Sequence, residues 1–292
     1  MIRATLFALA ATMIAFAAEP LAASEPAMTW APPFYAYCMD MGVPGRQPLP
    51  LPEQATLLHE LGYDGIGYDL GLDHSLDANL AALDEAGLKL YMVHTRVNLA
   101  KPKAPFQPQL FQTIAKLKGR PATICVLLQG CKPGAEEGME PAVKALRAIG
   151  ACAAKAGLRV SIYHHVHDWT ESLPFALEVA KKVDRPNVGV SFNLCHWLRV
   201  EGKKDYRPLI LQNADKIFSV TICGATQGAT TWAGGLIQPL DCGDFDTRAL
   251  FVTLRAAGYQ GPIGLMCYGV PDDLHQHLAR SMKVWRSWFS DR

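Results

Sequence analysis

Residues 123–165, TICVLLQGCKPGAEEGMEPAVKALRAIGACAAKAGLRVSIYHH, decide the fold. They begin and end on short runs rich in apolar residues, Thr123–Gln129 and Arg159–His165, which read as strands. Between them Glu140–Ala156 is amphipathic and reads as a helix, with Gly157 suited to a left-handed C-cap. The strand runs are continuous rather than alternating, which a parallel sheet covered on both faces requires.

Working outward, the same strand–helix alternation repeats without a break in composition. Further strands are expected at Phe34–Met39, Gly65–Leu70, Lys89–His94, Asn187–Asn193, Phe218–Cys223 and Pro262–Cys267. Further helices are expected at Glu53–Leu61, Leu76–Glu85, Pro108–Leu117, Glu171–Val183, Tyr206–Asp215, Thr247–Ala257 and Asp272–Phe289, several closed by a glycine (Gly62, Gly87, Gly119, Gly258). Eight such units match the usual size, about 250 residues, of a single-domain α/β protein of the (β/α)8, or TIM barrel, type. A doubly wound open sheet needs no eighth unit and usually carries a phosphate-binding glycine loop after its first strand. Here MGVPGRQPLPLP follows the first strand and does not form that loop.

Within 292 residues, 28 basic side chains face 27 acidic ones, for a net charge of +1. Nucleic-acid binding would need a clear Lys/Arg excess, so it is disfavoured. Half the residues are apolar, which excludes a disordered chain. Met1 to Ser24 opens with Arg3, continues as an apolar run to Ala18 and closes on small residues. The run is about fifteen residues where a membrane span needs about twenty, so residues 1–23 read as a secretory signal and residues 24–292 as an exported, periplasmic or secreted barrel with no membrane span. Oligomeric state is left open. Export places eight cysteines where disulfides can form. They follow no metal spacing and mostly lie inside apolar runs, the behaviour of small buried hydrophobes, with one or two disulfides as the alternative.

Five stretches carry a family signature: LLHELGYDGIGYD, AAKAGLRVSIYHHVHDW, NVGVSFNLCHW, PLDCGDFDTRALFVTLRAAGYQGPIGLM and the closing helix. Together they make the chain resemble the sugar phosphate isomerase/epimerase group, with its xylose-isomerase-like barrel, over essentially the whole mature length. The resemblance implies a Glu, Asp, His, Glu set that holds a divalent metal at the ends of strands five to eight. Laid on this sequence, those positions are Tyr163, Asn193, Thr221 and Met266. Tyr163 and Thr221 are poor ligands, Met266 offers a soft thioether and Asn193 lacks the charge a hard cation wants. The expectation is therefore no cofactor at the family's usual site. A divalent metal at a rebuilt site of His94, His165 and an Asp is the alternative.

A barrel carries its reactive groups at the C-terminal strand ends. The expected catalytic groups are His165, His196 and Asp69, with His196 touching substrate by the resemblance. Expected to bind the partner, a small-molecule carbohydrate, are Tyr163, Asn193, His94, Gln129 and Trp197. Alternation puts Ser161, Tyr163 and His165 on one face of strand five and His164 on the other. The Gly- and Thr-rich loop GATQGATTWAGG is either a substrate-binding or a plain surface loop. Three functions follow: proton abstraction beside a sugar carbonyl (isomerase, epimerase or lyase), carbohydrate binding without catalysis, and glycoside hydrolysis by a pair drawn from Asp40, Asp69, Asp241 and Asp244.

Overall fold

The computed structural model describes residues 31–69 and 75–289. The proposed signal, residues 1–23, lies outside them, as does the side chain of Asp69. Eight parallel strands close into one barrel: β1 (Phe34–Tyr37), β2 (Gly65–Asp69), β3 (Lys89–Asn98), β4 (Thr123–Gln129), β5 (Arg159–Tyr163), β6 (Val188–Asn193), β7 (Ile217–Ile222) and β8 (Ile263–Met266). Each pairs with the next, and β8 pairs back to β1 through Tyr37↔Met266. This is the (β/α)8 barrel expected from the sequence.

The helices are α1 (Leu51–Leu61), α2 (Leu76–Glu85), α3 (Leu110–Lys116), α4 (Met139–Lys155), α5 (Leu173–Val183), α6 (Leu194–Glu201), α7 (Arg207–Asn213), α8 (Thr247–Ala256) and α9 (Leu274–Ser287). Their buried faces meet outward strand residues such as Val160, Ile162, Val188, Val190 and Val220, all 0% exposed. Among the described residues no helix is long and apolar enough to cross a membrane.

Three boundaries differ from expectation in ways that shape the mouth. β1 stops at Tyr37 because Cys38 and Asp40 take left-handed backbones, φ 58° and 55°. β5 stops at Tyr163 because the next backbone groups turn: the His165 N–H donates to the Thr170 carbonyl at 3.1 Å. α6, which periodicity did not reveal, starts directly at the end of β6, where the Asn193 side chain caps it by accepting the His196 N–H at 3.2 Å.

Inside the barrel, alternation stacks side chains in layers. The lower layer holds Tyr35, Cys125, Ser161, Ser191 and Ser219. The three serine hydroxyls close a triangle of 2.7, 3.1 and 2.7 Å, so each can give and accept one hydrogen bond without water. Two residues further along the same strands lie Tyr37, Tyr163, Asn193 and Thr221. Glycine makes room for the tyrosines: a Cβ on Gly67 would stand 2.7 Å from Tyr37 Cβ, and one on Gly264 would stand 2.6 Å from the Tyr35 ring. All eight cysteines are free thiols, and Cys125, Cys195, Cys223 and Cys267 are fully buried.

Candidate functional site

A pocket of about 320 Å³ opens at the C-terminal strand ends. That volume is at the lower end of small-molecule sites, roughly 300–1,000 Å³, and suits one sugar ring. Its polar wall includes Tyr37, His94, Arg96, Tyr163, His165, His167 and His196; its apolar wall includes Met41, Leu127, Trp232 and Met266.

At its floor the two tyrosines meet. The Tyr37 and Tyr163 hydroxyls are 3.0 Å apart, and the Asn193 amide nitrogen donates to both, at 2.9 Å to Tyr37 and at shorter range to Tyr163. Asn193 Oδ1 is occupied in turn by the His196 N–H and the Cys195 thiol. The proton count is instructive. Each phenol oxygen accepts one amide hydrogen, one phenol donates to the other, and one phenolic proton is left over. Thr221 Oγ1 is buried close enough to Tyr37 to act on its hydroxyl, although it makes no hydrogen bond of good geometry. The spare proton is thus open to Thr221 or to a pocket ligand. Burial holds both phenols well above their ordinary pKa, so they stay donors.

His165 is set up for the opposite task. Its Nδ1 is 2.9 Å from the Val166 carbonyl, which fixes the proton there and leaves Nε2 with a lone pair. Asp168 Oδ2 stands 3.7 Å from the same Nδ1, and Gln129 Nε2 holds the other Asp168 oxygen at 2.9 Å. Burial pushes His165 below its ordinary pKa, with Asp168 opposing, and burial also raises Asp168. The His196 ring packs 4.2 Å from that of His165. Burial and then the neighbouring imidazoles hold His196 well below its ordinary pKa, so it is neutral near pH 7. His94 completes the wall, 5.0 Å from the Tyr163 ring and 5.6 Å from that of Tyr37.

Residues 55–288 match the xylose isomerase-like TIM barrel family. The chain belongs to that family. No curated protein matches it, but many solved structures do. Three of them are the 3-keto-D-glucoside 4-epimerase YcjR of E. coli (18% identity, TM-score 0.70, covering 88% of this chain and 100% of that one), the D-allulose 3-epimerase of Methylomonas sp. in complex with D-allulose (14%, 0.68, 90% and 100%) and the probable 3-DHS dehydratase AsbF of Bacillus anthracis (16%, 0.68, 86% and 97%).

In this xylose isomerase-like barrel the four positions that the resemblance assigns to metal ligands, Tyr163, Asn193, Thr221 and Met266, do not fit a metal. The Tyr163 hydroxyl and the Asn193 amide nitrogen bond each other and Tyr37, the Asn193 oxygen is held by the start of α6, and Thr221 and Met266 carry no charge. Among the described residues no three His, Cys, Asp or Glu side chains group as ligands; the Asp69 side chain, whose backbone stands opposite His94, lies outside them, so this grouping neither builds nor rules out the alternative site of His94, His165 and an Asp. The expected residues sort as follows. His94, Tyr163, His165 and His196 share the pocket. Asn193 shares the layer of Tyr37 and Tyr163 and bonds both without lining the pocket, and Gln129 reaches it only through Asp168. His164 is fully buried, and its Nε2 accepts the Asn193 N–H at 3.1 Å. Trp197 is 2% exposed and packs on Phe192, away from the pocket wall; Trp232, from the Gly- and Thr-rich loop, takes the wall position against His196 at 5.3 Å.

Of the carboxylates considered for hydrolysis, Asp40 and Asp241 are tied to Arg46 and Arg280, and Asp244 accepts the Gln227 N–H. They brace the loops around the mouth and do not line the pocket. Asp69 ends β2 with its backbone opposite His94. Sequence reading passed over Tyr37; it offered Asp168 as a strand-end group without a role, and Trp232 only as part of the Gly- and Thr-rich loop. The signals were the inward alternation Tyr35, Tyr37, the local His-x-x-Asp spacing, and an aromatic inside a Gly-rich loop.

Proposed function

We propose that this barrel is a sugar-modifying enzyme that moves a proton on the carbon next to a sugar or keto-sugar carbonyl, without the family's divalent metal. The observation that carries the reading is His165: its Nδ1 proton is held by Val166, so its Nε2 lone pair shares one pocket with a donor phenol. His165 removes the proton, the electron pair moves onto the carbonyl oxygen, and the spare Tyr37–Tyr163 proton hydrogen-bonds that oxygen as charge develops. Returning the proton to the adjacent carbon isomerises, returning it to the other face epimerises, and expelling a neighbouring hydroxyl as water is elimination. Neutral His196 adds a hydrogen bond to the substrate. The similar barrels named above include two sugar epimerases and a probable dehydratase, names that accord with this reading.

Incubating sugars and keto-sugars with the protein in D2O and excess EDTA, and following C–H signals by proton NMR, tests the reading. Exchange next to a carbonyl, abolished in His165→Ala, is expected. The replacement of all four ligand positions favours a second reading, a carbohydrate-binding barrel without catalysis, which binding without exchange would establish. We also propose that residues 1–23 direct export, which N-terminal sequencing of the mature chain checks.

A further inference from the structure

The pocket wall has two unlike sides, and together they narrow the substrate class. Apart from the Tyr37 and Tyr268 hydroxyls, its strong hydrogen-bonding side chains stand on one arc from β3 to α6, with His94 at one end and His196 at the other. The opposite arc runs from β7 through β8 to β1, strands that are neighbours in the closed sheet. It presents Trp232, Ile237, Met266, Tyr268 and Met41.

Tyr268 forms a shelf at the outer end of this arc. Among the described residues three large apolar side chains are exposed, and Tyr268, at 42%, is the one that lines the pocket. The hydroxyl-bearing end of its ring lies against Gly42, where a Cβ would stand 2.4 Å from Cζ. Backbone bonds pin the segment on both sides: the Cys267 N–H donates to the Tyr37 carbonyl at 3.1 Å, and the Gly269 N–H to the Met41 carbonyl at 2.7 Å. A Cβ on Gly269 would stand 3.9 Å from the Ala233 Cβ, so the segment of Tyr268 borders that of Trp232. A ring braced in this way and still exposed is a preformed surface for a flat apolar group.

A sugar ring carries hydroxyls around its edge, and burying one against Met41, Ile237 or Met266 without a partner costs about 1–3 kcal/mol. A free sugar therefore suits the polar arc and mismatches the apolar one, whereas a sugar bearing an apolar substituent suits both. We infer that Tyr268 receives an apolar, ring-bearing aglycone, which makes the substrate a glycoside. Its sugar lies on the floor among Tyr163 and the imidazoles, and its aglycone follows the apolar arc outward. The pocket holds one ring, which places the aglycone at the mouth, where Tyr268 is exposed. The inference rests on the sugar-site reading above and adds the second group. A glycosidic bond closes the anomeric carbon, so the carbonyl that the proposed reaction needs lies elsewhere on the ring.

The test is equilibrium binding by calorimetry to D-glucose, D-galactose and the methyl and phenyl glycosides of each, in both anomers. At least one phenyl glycoside should bind ~10-fold or more tighter than the methyl glycoside of the same sugar and anomer. Tyr268→Ala should bring that phenyl glycoside down to the methyl glycoside's affinity, while Tyr268→Phe keeps the preference, with melting temperature reporting that each variant is folded. Equal binding of phenyl and methyl glycosides, or a Tyr268→Ala variant that keeps the preference, overturns the inference and leaves the sugar site standing. Loss of the preference in Tyr268→Phe overturns the apolar shelf, since the hydroxyl would then be what binds. No binding of any sugar or glycoside overturns the site reading and this inference with it.

Discussion

The Tyr37 hydroxyl on β1 meets the Tyr163 hydroxyl on β5 at 3.0 Å, from opposite sides of the barrel, with the Asn193 amide bonded to both. This arrangement uses the Asn193 amide as the donor; an aspartate there could not donate to either phenol. Removing one hydroxyl removes the spare proton and leaves an amide hydrogen buried without an acceptor. Tyr163→Phe should lower kcat for the exchange reaction by about 10²–10³-fold and cost about 1–3 kcal/mol of stability. Tyr37→Phe should do the same, and the double variant should lose little more. Additive losses in kcat would mean that the phenols do not act as one unit.

His165 as the base predicts the pH dependence. It must be neutral to act, and burial holds its pKa below 6.5. The acid limb of kcat/KM should therefore fall below pH 6.5, not above it. Burial keeps both phenols protonated past pH 10, so they add no alkaline limb below that. Asp168→Asn removes the charge that opposes the depression, so the acid limb should move to lower pH. An unmoved limb would separate Asp168 from the titrating group.

The two tryptophans predict opposite phenotypes. Trp197 is 2% exposed on Phe192, so Trp197→Ala should cost about 3–5 kcal/mol in a denaturant titration. Trp232 is half-buried on the pocket wall, so Trp232→Ala should weaken sugar binding several-fold with the unfolding midpoint nearly unchanged. Reversed phenotypes would put the substrate on the other side of His196.

The barrel was legible because its signal is local and repeated: each apolar run and each Gly-capped amphipathic stretch reports its own element. α6 was not, because FNLCHWL is a short, mostly apolar stretch in which strand and helix periods look alike, and only the Asn193 cap divides them. The placement of Tyr163 and His165 on one face and His164 on the other followed from alternation alone. The partner of Tyr163 did not, since Tyr37 lies 126 residues away and barrel closure brings them together. His165 and Asp168 are three residues apart, and their pairing was within reach of the sequence.

His277 on α9 is 1% exposed, and neither ring nitrogen has a hydrogen-bond partner. Burial pushes its pKa down to about 4, against the pull of Asp272, Asp241 and Asp40 and with the help of Arg280. Below pH 6.5 the unfolded chain takes up a proton on this side chain that the folded chain refuses until about pH 4. Stability is therefore complete above 6.5 and falls as the pH drops, at about 1.4 kcal/mol per pH unit for one such group. His164, pushed by burial down to about 3, acts in the same direction, and its protonation also displaces the Asn193 N–H. Urea titrations between pH 7 and pH 4.5 should show this loss, and His277→Leu should flatten the slope by about one proton's worth while leaving the fold intact at pH 7. An unchanged slope in His277→Leu would mean that the ring finds water or a partner in solution and is not held neutral by burial.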